Sequence, residues 1–115
     1  MLSTTIRSPD VFKPQAATDV HAEATVWDPG ASKKFRIMGF DLFGDVAGAY
    51  VFKDGTGLTT IYETYLDGTT TKSIVLGQAG ILSATAANKL TCTGPAASHI
   101  TGTIFGTEEA NNVTA

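Results

Sequence analysis

Residues 90–109, LTCTGPAASHITGTIFGTEE, hold most of the side chains that could do chemistry in this 115-residue chain. Cys92, His99, Glu108 and Glu109 fall within twenty positions, among several hydroxyls. A thiol beside an imidazole could form a nucleophile–base pair, and the other histidine, His21, lies far back where an adjoining strand could bring it near. The local pattern argues otherwise. Leu90 and Cys92 alternate with Thr91 and Thr93, so the thiol shares the leucine's face, and unpaired cysteines are among the most buried residues. Nothing flanking Cys92 supplies an oxyanion site or a helix N-terminus to lower its pKa. Two histidines and one cysteine match no zinc spacing. Glu108 and Glu109 are adjacent, so on a strand they point to opposite faces and read as a solvated strand end. DVAGAYVFKDGTG has glycines without the order of a phosphate loop. NVT at 112–114 fits a glycosylation sequon, but no secretion signal precedes it. The expectation is a chain with no catalytic residue, no metal ligand and no cofactor site.

Trp27, Tyr62 and Tyr65 carry a second possible chemistry. On an open sheet face they would form a sugar-stacking platform. The same residue types suit a sandwich core or a subunit interface, where one end of the ring stays wet.

The elements that would position these groups are short strands. A chain of this length makes one domain. Its 43% hydrophobic content is that of a globular protein. The net charge is −3, with eight Lys and Arg spread thinly, which excludes the basic footprint of a nucleic-acid binder. No apolar run approaches a membrane span. One cysteine leaves no internal disulfide. The hydrophobic period is two almost throughout; ILSATAANKL is the best helix candidate and is short. In KFRIMGFDLF apolar residues occupy both faces, which predicts a central strand covered on both sides. DPG at 28–30 suits a type II turn, and KDGTG and LDGTT carry hairpin-type Asp-Gly pairs.

The turns predict strands at 19–27, 34–43, 49–53, 58–66, 72–76, 81–84, 89–93 and 99–107. About eight short strands so spaced predict an all-β, antiparallel β-sandwich, jelly-roll-like. Residues 1–18, with Pro9 and Pro14 and no periodicity, fall outside this pattern. They read as a frayed terminus or as an extended N-terminal arm anchored by Ile6, Val11 and Phe12. The sandwich domain is placed at 19–109 and a flexible tail at 110–115.

ATVWDPGASKKFRIMGF resembles a stretch in small structural proteins of tailed bacteriophages: a strand ending in a Trp-x-Pro turn, then Gly, a Lys pair and a Phe-Arg-aliphatic strand. VLGQAGILSATAANKLTCTGPAASHITGTIFGTEE is similar to their C-terminal half. The two stretches cover most of residues 24–109. The resemblance implies a virion β-sandwich protein, a capsid decoration (cement) protein that binds the outer capsid surface as a homotrimer and stabilises the shell. Its partners would be copies of itself and the major capsid protein, with no nucleic acid and no membrane. It would be made in the host cytoplasm and sit on the capsid exterior. The resemblance favours the arm over fraying, with Ile6, Val11 and Phe12 as capsid-contact candidates. The alternative is a neck, tail or fibre component that binds host glycan or receptor through Trp27, Tyr62 or Tyr65.

Overall fold

Threonine, valine and aromatic residues alternating between glycine-bearing turns favour strands over helices. A computed structural model describes residues 8–110, and it contains no helix among them. The strands are β1 (Val11–Asp19), β2 (Ala24–Trp27), β3 (Lys33–Gly44), β4 (Gly48–Asp54), β5 (Thr59–Leu66), β6 (Lys72–Val75), β7 (Ile81–Leu82), β8 (Leu90–Thr93) and β9 (His99–Ala110). The larger sheet has the order β1-β9-β3-β6, with β7 also on β3; the smaller has the order β2-β8-β4-β5. All pairings are antiparallel.

This order follows from rolling up one long antiparallel ribbon. β1 pairs β9 and β2 pairs β8, while β3 pairs β6 and β4 pairs β5. Folding that ribbon over brings β9 beside β3 and β8 beside β4, which completes both sheets. The result is a jelly-roll sandwich, as the strand count implied. Trp27, Phe35, Phe40, Phe52, Leu90 and Ile104 are among the side chains that fill the space between the sheets.

One expectation is corrected. Residues 11–18 are no free arm: β1 pairs along β9 from Val11↔Gly106 to Asp19↔His99, so the sandwich begins at Val11. Val11 packs against the core. Pro14 is tolerated because β1 is an edge strand, where a missing N–H breaks no ladder bond. The strand expected at 19–27 therefore shortens to β2, since Asp19 ends β1 and residues 20–23 form a corner. Ile6 lies outside the described residues, as do residues 111–115 of the expected tail, while Ala110 ends β9 paired with Lys33 and belongs to the sandwich.

β3 is central, as expected, and it is buried on both faces from Lys34 to Phe40. Its apolar residues on both faces arise from a register shift between Ile37 and Gly39. Phe35 and Ile37 face the core before the bulge, and Phe40 and Leu42 face it afterwards. One extra residue inverts the alternation, so the core face takes all four. Gly106 stands opposite this bulge, where an added Cβ would lie 1.7 Å from the Arg36 carbonyl oxygen. Only glycine lets the two backbones approach so closely there.

Every outermost strand is short or interrupted. β1 carries Pro14 and a register shift between Gln15 and Thr18, with Ala17 at φ 51°. β5 bulges at Ile61, opposite the Phe52–Lys53 step. β2 and β6 have four residues each and β7 has two. Such edges resist addition of a further strand.

Candidate functional site

The outer face of the larger sheet carries an apolar row across four strands. Phe12 of β1 stands opposite Phe105 of β9, Phe105 opposite Gly39 of β3, and Gly39 opposite Val75 of β6. Alternation puts them all outside, because Val11 and Ile74 pack inwards. Phe105 lies over Gly39: a Cβ there would come within 2.6 Å of the ring's Cζ. The Phe12 and Phe105 ring centroids are 6.3 Å apart. Phe12 is 58% exposed and Val75 81% exposed, so the row ends in open apolar surface on both sides.

Polar groups frame the row. On one side Arg36 is only 2% exposed. Its Nε donates to Glu109 at 2.5 Å, a second nitrogen donates to the other carboxylate oxygen at 3.1 Å, and a third bond reaches the Ala79 carbonyl at 2.5 Å. Bidentate pairing of this kind is strong and directional. On the other side Ser73 donates to Asp41, opposite Thr103 and then Pro14. The face thus offers a neutral apolar stripe between internally satisfied polar groups.

The other residues singled out by sequence are placed differently. Trp27 is buried, with its indole N–H donating to Glu108 at 2.8 Å. Tyr62 packs against Phe40 and Phe52, with ring centroids 5.9 and 6.5 Å away. Tyr65 alone is open, 60% exposed on the edge strand of the smaller sheet. The three aromatics form no common platform.

Glu108 and Glu109 do point to opposite faces, but neither is an idle solvated end. Glu108 holds Trp27 and lies 3.8 Å from the Lys13 ammonium, while Glu109 holds Arg36. Cys92 is fully buried, and burial pushes its pKa up to about 12, so the thiol stays protonated at neutral pH. His99 bonds Asp45 through its ring at 2.9 Å, and His21 bonds Asp19. These contacts hold the Asp19 and Asp45 carboxyls below the usual range. For Asp19 the leading cause is the His21 side chain; for Asp45 it is the backbone N–H of His99. Among the described residues no three histidine, cysteine or acidic side chains are grouped as metal ligands.

Sequence reading missed Asp54, the best-bonded buried carboxylate. It accepts from Ser83 Oγ at 2.7 Å, the Ala84 N–H at 2.7 Å and Asn88 Nδ2 at 3.2 Å. Ser83 and Ala87 also donate their N–H groups to β3 carbonyls, so residues 83–88 stitch the two sheets together. Locally, Asp54-Gly55 reads as a turn, and only the fold brings its partners near. No family model, curated protein or solved structure matches the chain.

Proposed function

We propose that the protein is a structural component of a tailed-bacteriophage virion, a capsid decoration protein that binds the outer shell as a trimer and stabilises it. The observation that carries the reading is the exposed Phe12–Phe105–Val75 row, an apolar surface that water alone does not favour. Blunted edges support contact through this face rather than through an added strand. The jelly roll adds support by analogy, since viral capsid domains use it, although a fold by itself assigns no function.

Of the contact candidates, Phe12 keeps its role, Val11 belongs to the core, and Val75 joins the surface. The mechanism is linkage. A protein that binds only the assembled lattice raises the free energy needed to deform or lose subunits. Trimers that touch several capsid subunits at once gain avidity. A net charge of −3 suits the outside of a shell rather than its packaged DNA.

The test compares wild type with a Phe12→Asp, Val75→Asp double variant on undecorated capsids, after circular dichroism has verified that both fold. Wild type should bind and raise the temperature at which the shells release DNA, and the variant should do neither. Equal binding by both would remove this face from the reading, and no binding by wild type would remove the cement role. Removing residues 1–18 is no substitute, because that deletes β1 from the sheet.

A further inference from the structure

After Leu66 the chain leaves β5, turns through residues 67–71 and crosses to β6 in the other sheet. This crossing encloses a shallow groove of about 260 Å³, lined by Tyr65, Leu66, Asp67, Thr70, Thr71 and Lys72. We propose that the groove binds a single pyranose ring of a neutral carbohydrate. The inference is independent of the capsid reading, since the groove's lining shares no residue with the Phe12–Phe105–Val75 row and the test uses the isolated protein.

Each part of the wall has a matching part in a sugar. Tyr65 offers a largely exposed aromatic ring for the C–H face of a pyranose. The Asp67 carboxylate is fixed in place. Its Oδ1 accepts from the N–H groups of Thr69 and Thr70, both at 2.8 Å, and its Oδ2 accepts from Thr70 Oγ1 at 2.8 Å. Oδ2 therefore keeps a lone pair for a ligand hydroxyl. The same bonds hold its pKa well below the usual carboxylate range, led by the two backbone N–H groups. Lys72 Nζ is oriented by Thr64 Oγ1 at 2.9 Å and by the Tyr65 carbonyl at 3.4 Å, which leaves one of its three protons to donate. The Thr71 hydroxyl is exposed at the rim.

Charge balance selects the ligand class. One carboxylate and one ammonium cancel, so the groove favours neither a phosphate nor a metal cation. A neutral polyol, whose hydroxyls both donate and accept, satisfies both groups. The volume lies just below the roughly 300 Å³ at which pockets begin to hold drug-sized molecules, which suits one ring rather than a chain. Trp27 and Tyr62 lie in the core and add no further subsite. The expected affinity is therefore weak, with a Kd on the order of 1 mM.

The experiment is an amide chemical-shift titration of the isolated, isotope-labelled protein. The probes are the methyl glycosides of glucose, galactose, mannose and N-acetylglucosamine, with inorganic phosphate and glycerol as controls. At least one glycoside should give saturable shifts confined to residues 64–72, and Tyr65→Ala should weaken it at least about tenfold, near 1.4 kcal/mol, with the unfolding temperature unchanged. No glycoside shift, shifts that survive Tyr65→Ala, or a response to phosphate or glycerol alone would each overturn the proposal. None of these outcomes involves a capsid, so the two readings fail separately.

Discussion

The outer faces of the two sheets are both rich in threonine, yet they are finished in opposite ways. On the smaller sheet the side chains bond to one another. Glu23 accepts from the Thr91 hydroxyl at 2.6 Å and from the Gly57 N–H at 2.9 and 3.0 Å. That carboxyl is held below its ordinary range, chiefly by the Thr91 hydroxyl. On the larger sheet Gly39 removes a side chain at the centre, Phe105 lies across the gap, and Phe12 and Val75 are left open. Its buried ion pair is Arg36–Glu109, while the exposed Asp41 accepts from Ser73. Strand propensity alone does not separate the faces. What separates them is whether the polar atoms are satisfied within the face while apolar area stays uncovered.

The largest effect should come from removing the carboxylate on each face in turn. Glu109→Ala leaves the buried Arg36 guanidinium without its bidentate partner, and breaking a buried pair from one side costs about 3 kcal/mol. Glu23→Ala removes hydrogen bonds from two neutral donors, the buried Thr91 hydroxyl and the exposed Gly57 N–H, at about 1–2 kcal/mol. Urea unfolding of the two variants checks the difference. Equal losses would mean that the charges on the two faces are held alike, and the comparison would break.

A methyl group probes the same contrast at smaller scale. Gly39→Ala must displace the Phe105 ring and also meets the Ile74 carbonyl oxygen at 2.5 Å. Overpacking of this kind costs about 1–3 kcal/mol. Ala49→Val on the smaller sheet enlarges an exposed strand residue and should stay within about 0.5 kcal/mol of wild type. If Gly39→Ala proved as neutral as Ala49→Val, Phe105 would not be fixed over the glycine, and the apolar row would lose its centre.

The strands were legible because alternation and Asp-Gly or Pro-Gly turns are local signals. Gly30, with φ 95°, marks the turn expected after Pro29. Strand β1 was hidden for equally local reasons. Val11 and Phe12 are adjacent apolar residues, Pro14 follows, and the irregularity between Gln15 and Thr18 interrupts the period before it can be recognised. The bulge in β3 was hidden too, since two short in-phase runs look like one regular strand. At the candidate surface, Phe12 could be singled out as an isolated apolar residue. Val75 and Phe105 could not, because they join Phe12 only through the register of four strands that are distant in sequence. Trp27 and Tyr62 went to the core for the same reason: whether a strand aromatic faces in or out is set by tertiary pairing, not by residue type.

Acid should act on both halves of the molecule and give the smallest effect of the three. Asp19 and Asp45 at one end of the larger sheet, and Glu23 on the smaller, all have carboxyl pKa values lowered by their hydrogen bonds. A lowered pKa means that the folded state binds its proton less readily than the unfolded chain. The stabilisation is therefore complete above the ordinary values of 3.8 for aspartate and 4.5 for glutamate, and is lost as pH falls through the lower folded values. Thermal unfolding should be flat from pH 7 to about pH 5 with respect to these groups and should decline below it. Glu23→Gln removes one titrating group and makes the decline shallower, whereas Asp19→Asn and Asp45→Asn remove the contribution from the other sheet. Wild-type stability that rose on acidification would show that these carboxylates are not held ionised by their partners. A Glu23→Gln slope identical to wild type would show that the smaller face's carboxylate does not share in the network ascribed to it.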